Sequence, residues 1–197
     1  GIHLTSSDNN RIVKCDITGN AGDGVHFYAS GGNEVVDTRL RDNGACGVRG
    51  GLWAAGRSDG ITVRQCLVYR NGNTGILLDG DSSCQGWLAE NCTLYGNYGS
   101  GVNASHRCAL TVRNCIVFTN SAYGLTRGWN LGVITPAFND VYGNVAGNYS
   151  VGGELVTPDT NSVSLDPNLA YPGSGDFRLR PASPCLNAGT NQAWMVG

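Results

Sequence analysis

The stretch Ile61-Thr62-Val63-Arg64-Gln65-Cys66-Leu67-Val68-Tyr69-Arg70-Asn71-Gly72-Asn73-Thr74-Gly75-Ile76 carries a pattern that returns along the chain. Asn71 has Cys66 five residues before it and the pair Gly75-Ile76 four and five residues after it. Asn20 repeats this with Cys15 and Gly24-Val25, Asn97 with Cys92 and Gly101-Val102, and Asn120 with Cys115 and Gly124-Leu125. Asn43 keeps Gly47-Val48 but has Thr38 in the Cys slot. Asn144 closes the series with Asn139 in that slot and Gly147 one place early. Successive anchors stand 23, 28, 26, 23 and 24 residues apart. A period in the twenties, with length changes gathered at one corner, marks a solenoid.

The residues between the anchors decide its kind. Two places after the Cys slot stand Ile17, Leu40, Val68, Leu94, Val117 and Val141, and three places before it Ile12, Val35, Val63, Ala89 and Val112. Within each coil apolar residues alternate with Thr, Arg, Glu or Asp, the strand period of two, and no window has the helical period. Each coil therefore consists of short strands separated by Asn and Gly corners, with like residue stacked on like at the parallel-strand spacing of about 4.8 Å. This is an all-β parallel β-helix of about six coils over residues 1–150, followed by an irregular C-terminal cap over 151–197. The Asn column is expected for its tolerance of left-handed backbone and for amide-to-amide hydrogen bonding along the stack. Gly before the aliphatic residue is expected either to take positive φ or to leave a flat surface.

With 197 residues, 41% apolar, and 30 Gly, the chain makes one turn-rich domain with enough apolar surface for a core. Its net charge of −2 with no basic run excludes an electrostatic nucleic-acid binder, and no apolar run approaches a membrane span. Gly1-Ile2 occupies the repeat position of Gly24-Val25, so the sequence starts within a coil and is expected to be a piece of a longer protein. Cys15, Cys66, Cys92 and Cys115 share one repeat position and read as an inward stack of reduced thiols. Cys84 and Cys108, 24 residues apart at a matching corner, are the expected disulfide. Cys46 and Cys185 have no assignment. No Cys/His spacing suits zinc.

Insertions follow the Gly-aliphatic strand at Gly50-Gly51-Leu52-Trp53 and Thr126-Arg127-Gly128-Trp129. Trp faces suit sugar rings, and a Trp folded back on the helix is the alternative. Beyond Val151 the repeat gives way to Asp166-Pro167-Asn168-Leu169, Gly175-Asp176-Phe177-Arg178-Leu179 and Ser183-Pro184-Cys185-Leu186-Asn187-Ala188-Gly189, a segment expected to cover the open strand edges of the last coil. The coils resemble the right-handed parallel β-helix repeat shared by pectate lyases, polygalacturonases and many secreted bacterial proteins. The tail resembles the C-terminal part of large bacterial cell-surface or secreted β-helix proteins. The resemblance implies a right-handed coil and an extracellular or cell-surface location. It assigns no reaction, because function belongs to the site and not to the fold.

In β-helix enzymes equivalent positions of adjacent coils gather into a site. The outward position two after the repeat Gly reads His3, His26, Arg49, Leu77, Asn103 and Thr126, and two places further stand Thr5, Tyr28, Gly51, Asp79, Ser105 and Gly128. His26, Arg49 and Asp79 are the candidate catalytic residues. A lyase on a uronic acid needs a base at C5 and a cation on the carboxylate. Tyr28, Trp53, Asn103 and Trp129 are the candidate substrate-binding residues. A polar outer wall with no chemistry is the competing reading. Gly22-Asp23-Gly24-Val25 resembles one polygalacturonase segment, but the paired carboxylates of a hydrolase are not found on later coils. Asp79-Gly80-Asp81 offers two close carboxylates for Ca²⁺, or simply a turn. His106 and Arg107 read as a solvated corner. Asn91, Asn103 and Asn148 fall in glycosylation-type triplets that Asn-rich sequence also produces by chance.

Three functions follow. The first is a non-catalytic extracellular or cell-surface module, structural or adhesive, that binds polysaccharide. The second is a polysaccharide lyase, or less favourably a glycoside hydrolase, on acidic polysaccharide. The third is self-association through an open end of the coil.

Overall fold

The computed structural model describes residues 1–51, 57–80, 84–128, 131–151, 156 and 158–191. The chain winds as a right-handed parallel β-solenoid of about six turns. Sheet A holds Ile2–Thr5, Val25–Tyr28, Val48–Gly50, Ile76–Leu78, Val102–Ala104, Tyr123–Arg127 and Gly147–Val151, in that order. Sheet B holds Arg11–Val13, Glu34–Val36, Thr62–Arg64, Trp87–Glu90, Ala109–Arg113 and Val133–Ala137. Sheet C holds Asp16–Thr18, Arg39–Arg41, Leu67–Tyr69, Thr93–Tyr95, Ile116–Phe118 and Asp140–Tyr142. Every pairing in these sheets is parallel and joins equivalent positions of neighbouring coils, such as Val63 with Ala89 and Leu94 with Val117.

Period-two alternation sends one face of each sheet inward, and the aliphatic columns read from the repeat form the core: Val35, Val63, Ala89 and Val112 from sheet B, Leu40, Val68, Leu94 and Val117 from sheet C. One large side chain interrupts these columns. Trp87 is buried, its indole N–H donates to the Ser58 carbonyl at 2.7 Å, and its ring meets Phe27 edge-on at 5.9 Å. The space comes from Gly50, an inward position of sheet A where a Cβ would stand 2.2 Å from the indole.

The corners differ from the expectation in an instructive way. The left-handed residue is the one before each ladder residue, not the Asn itself. Gly19, Asp42, Arg70, Gly96, Thr119 and Gly143 have φ between 50° and 69°. Each following Asn then acts as a clip between coils. The Asn71 side-chain oxygen accepts from the backbone N–H and the amide of Asn43, at 3.2 and 3.0 Å, and its own amide donates to Asn97 and to the Leu40 carbonyl, both at 3.0 Å. The ladder runs from Asn20 through Asn43, Asn71, Asn97, Asn120 and Asn144, and its last acceptor is Asn148, four residues beyond Asn144. The repeat Gly is needed for room, not for positive φ. At Gly47 a Cβ would stand 2.4 Å from Val68, 2.8 Å from the Gly75 carbonyl and 3.1 Å from the Asn71 amide.

The same device operates at the other two corners. Lys14, Asp37, Gln65, Asn91, Asn114 and Phe138 take φ of 48–56° before the Cys slot. The thiols of Cys66, Cys92 and Cys115 then donate to strand carbonyls of their own coil and the one before it, at 3.2–3.6 Å. Its hydrogen bond with Cys92, then burial, pushes the Cys66 thiol up, and burial does the same at Cys92. At the third corner the Ser7 N–H donates to the Ser30 hydroxyl, that of Ser30 to the Ser58 hydroxyl, and that of Cys84 to the Cys108 sulfur at 3.3 Å. Cys84 and Cys108, the expected disulfide, are here two free neighbouring thiols that continue a serine column.

The tail lies in two places. Asp159 to Val163 stack on the last coil, with the Val163 N–H on the Asn139 carbonyl at 2.8 Å and the Val141 N–H on the Val163 carbonyl at 3.0 Å. The antiparallel pair Leu169–Tyr171 and Asp176–Leu179 folds back along the outer face of sheet C, where Phe177 meets Tyr69 at 5.0 Å and Tyr95 at 5.6 Å. Further on, Cys185 donates to Asp140 at 3.1 Å, and burial pushes that thiol up to about 12.

Two substitutions test this frame. Asn71→Ala strands the buried Asn43 N–H and Leu40 carbonyl and should cost about 2–4 kcal/mol in urea unfolding, against about 1 kcal/mol or less for Asn20→Ala at the half-exposed start of the ladder. Gly47→Ala should cost about 2–3 kcal/mol by overpacking, because two of the atoms it meets are a backbone carbonyl and the ladder amide.

Candidate functional site

The outer face of sheet A collects the polar residues that alternation turns away from the core. Strand register places His3 beside His26, His26 beside Arg49, Arg49 beside Leu77, and Leu77 beside Asn103, with Thr5 beside Tyr28 one step along. The rings of His3 and His26 stack in parallel, 4.7 Å apart with a 2° tilt, which is the strand spacing expressed in side chains.

His26 sits between two acceptors. Its Nδ1 is 3.6 Å from Asp23 Oδ2, and its Nε2 is 3.3 Å from the Gly51 carbonyl. Asp23 reaches the ring because it lies three residues earlier on the turn into the strand, where its other oxygen accepts the Cys46 N–H at 2.9 Å. Burial lowers the His26 pKa from its ordinary 6.5, opposed by Asp23 and Gly51 and reinforced by His3 and Arg49. The resting ring is therefore neutral at pH 7, yet a proton delivered to it meets an acceptor at either nitrogen. A cleft of about 360 Å³ opens beside His3, Asp23 and His26.

Arg49 is one coil further. Its Nη2 lies 3.5 Å from Asp79 Oδ2, a loose contact, and its Nε is buried with no hydrogen-bond partner among the described residues. The Asp79 carboxylate is held more closely by His106, with Nδ1 at 3.0 Å from Oδ1. The three candidate catalytic residues thus share one face, joined by two residues the sequence reading missed. His106, read as a solvated corner, turns back one coil onto Asp79. Asp23 carries no column signal, since it occupies a corner and not a strand. Tyr28 shares the face with His26, whereas Asn103 lies beyond the buried Leu77 and accepts from Ser105 at 3.3 Å. Trp53 and Trp129 lie outside the described residues, as does Asp81 of the Asp79-Gly80-Asp81 turn. The Asp79 oxygens already face Arg49 and His106, and among the described residues no group of three or more His, Cys, Asp or Glu side chains could hold a metal ion. No helix among them is long and apolar enough to cross a membrane.

Two solved structures share this architecture. The periplasmic alginate epimerase AlgG is 17% identical over 84% of this chain and 40% of its own, with a TM-score of 0.66. The pectate lyase Pel9A is 14% identical over 98% of this chain and 63% of its own, with a TM-score of 0.58. At these identities the likeness is one of fold, and the chain spans about two-fifths of the epimerase's length. Residues 1–135 match the family described as the right-handed β-helix region, and with most of its length in that match the chain belongs to this family.

Proposed function

We propose that the outer face of sheet A binds an acidic polysaccharide and that His26 removes the C5 proton of a uronate unit. The observation that carries this reading is a half-buried, neutral imidazole between Asp23 and the Gly51 carbonyl, with the Arg49 guanidinium on the next coil. A proton α to a carboxylate is weakly acidic because the electron pair left behind must spread onto the carboxylate oxygens. A base must therefore work with a cation that receives that charge. In this reading the neutral ring keeps its Nε2–H on the Gly51 carbonyl, the C5–H bond breaks, and the proton forms an N–H bond at Nδ1. There the 3.6 Å separation from Asp23 is beyond hydrogen-bond distance, and the Asp23 carboxylate stabilises the imidazolium by its charge. The electron pair moves into the carboxylate, which Arg49 receives. Asp79, shared with His106, positions Arg49 and keeps its charge partly balanced until a substrate carboxylate arrives. Tyr28 offers a hydroxyl to the sugar on the same face.

The same intermediate has two outcomes, return of a proton to the opposite face of C5 or loss of the C4 oxygen substituent. The first is the chemistry of an epimerase and the second of a lyase, the activities named for the two structures of like fold. A polysaccharide substrate of this kind fits work outside the cytoplasm, in line with the periplasmic epimerase of like fold. The runner-up is a non-catalytic module that uses the same face only to bind, supported by the ion pair that already engages Arg49.

Turnover of polymannuronate or polygalacturonate in heavy water reads both outcomes: deuterium incorporated at C5 where a proton returns, and ultraviolet absorbance of the C4–C5 double bond where the C4 substituent leaves. Wild type should give one of the two signals, His26→Ala should lose about 10²–10⁴-fold, and Arg49→Gln about 10²-fold or more. Binding with neither exchange nor an unsaturated product in the wild type would leave the non-catalytic module. The pH profile follows from the lowered pKa of His26. The ring must be neutral to accept the proton, so the rate should hold as pH falls through 6.5 and drop only below it.

A further inference from the structure

The residue after each ladder Asn forms a column of its own at the corner where sheet C turns into sheet A. It reads Ala21, Gly44, Gly72, Tyr98, Ser121 and Val145. Small residues make most of this corner a flat shelf, and Tyr98 projects from it with 73% of its surface exposed. Its backbone is fixed, since its N–H donates to the Asn71 carbonyl at 2.9 Å. A rigidly mounted, uncovered ring gains by receiving a flat apolar surface from outside.

The ring borders a cleft of about 740 Å³, lined also by Tyr95, Thr119, Asp42 and Arg70. The polar groups there are held in place. Arg70 makes a bidentate pair with Asp42 at 2.9 and 3.0 Å, and its third nitrogen donates to the Gly173 carbonyl at 3.2 Å. Arg41 bridges Asp42 and Asp16. The Arg70 guanidinium holds the Asp42 carboxyl below its ordinary range, so the cluster is two cations against two anions. Balanced charge gives a phosphate or a uronate no advantage. A fixed aromatic ring beside ionised but neutralised planar groups and two small hydroxyls, Thr119 and Ser121, suits a ligand with one C–H face and a rim of hydroxyls.

We propose that this corner is a second carbohydrate site, for a neutral pyranose, with Tyr98 as the stacking platform and Asp42 and Arg70 as hydrogen-bonding partners. It lies on a different surface from the outer face of sheet A and does not depend on the chemistry assigned to His26. It would hold a neutral stretch or branch of a polysaccharide whose acidic part engages Arg49, or a neutral glycan by itself.

The test is calorimetric titration of the full chain with the neutral oligosaccharides cellohexaose, xylohexaose, mannohexaose and laminarihexaose. At least one should bind. Tyr98→Ala should weaken that binding about fivefold or more, and Tyr98→Phe should stay within about twofold of wild type. Asp42→Asn should weaken it, and Arg49→Ala on sheet A should leave it unchanged. Tyr98 is exposed, so its replacement leaves the fold intact, which circular dichroism would confirm. The proposal is overturned if none of the four binds, if Tyr98→Ala binds as tightly as wild type, or if Arg49→Ala abolishes binding and so puts the ligand on sheet A.

Discussion

The structure depends on hydrogen bonds that run along the solenoid axis at its corners, from a backbone N–H of one coil to a side-chain oxygen or sulfur of the next. A corner turns by placing a residue in the left-handed region, which costs a non-glycine residue roughly 1–2 kcal/mol. It also takes nearby backbone groups out of the sheet ladders, and a buried group left unpaired costs about as much again. The Asn column, the Cys/Thr/Asn column and the Ser/Cys column each answer both demands, coil after coil. Thr38 shows that the demand is chemical and not specific to sulfur. Its hydroxyl accepts the Cys15 N–H at 3.3 Å and donates to the Val36 carbonyl at 2.9 Å, the roles that acceptor and thiol play elsewhere in the column.

With the corners committed to internal bonding, charge is left to the sheet faces, and the three faces treat it differently. On sheet B, Arg11 pairs with Glu34 and Arg113 with Glu90, both across a coil boundary. On sheet C, Arg41 pairs with Asp16 in the same manner, and at the corner that follows it Arg70 pairs with Asp42. These contacts are close, 2.9–3.0 Å. The three at the surface contribute about 0–1 kcal/mol each and mainly fix register and neutralise the wall, whereas Glu90 is buried and needs Arg113 as its partner. Sheet A is looser. The contacts of His26 with Asp23 and Arg49 with Asp79 are 3.6 and 3.5 Å, half-buried, and Arg49 retains a buried donor with no partner among the described residues. Charge held loosely in a partly dry place can be redirected to a ligand more readily than charge already well paired.

The fold was legible because three of its determinants are periodic. Asn and Cys at fixed spacing, and aliphatic residues alternating with polar ones, repeat often enough to outweigh any single exception. The third corner column was equally periodic, since Ser7, Ser30, Ser58, Cys84 and Cys108 stand 23, 28, 26 and 24 residues apart, close to the steps of the Asn ladder. It escaped notice because its members change from hydroxyl to thiol midway, and two cysteines in one column suggest a disulfide before they suggest a hydrogen-bonding series. The site was legible only where it shared the repeat. His26 and Arg49 occupy strand positions that register brings together, and Asp79 follows directly after the strand Ile76–Leu78 on the same face. Asp23 and His106 act from turns, where a side chain's direction is set by local backbone and not by the period. The φ of 52° at His106 returns its ring to the preceding coil, and no spacing rule anticipates that.

The ladder also reaches the site. Gly47 lies against the Asn71 amide, Val48 follows it into the core, and Arg49 is the next residue outward. The depth to which Gly47 settles on that amide therefore sets where the Arg49 strand lies relative to His26. On the other side Cys46, one residue before Gly47, gives its N–H to Asp23, the same carboxylate that faces the His26 ring. Four consecutive residues, Cys46 to Arg49, thus tie the carboxylate beside His26, the corner ladder, the core and the Arg49 guanidinium into one piece. Coil stacking would hold imidazole and guanidinium on adjacent strands in any parallel β-helix. What this sequence adds is a corner that orients Asp23 and Arg49 through a single backbone segment, so the placement of the guanidinium relative to His26 is set by packing as well as by side-chain rotamers.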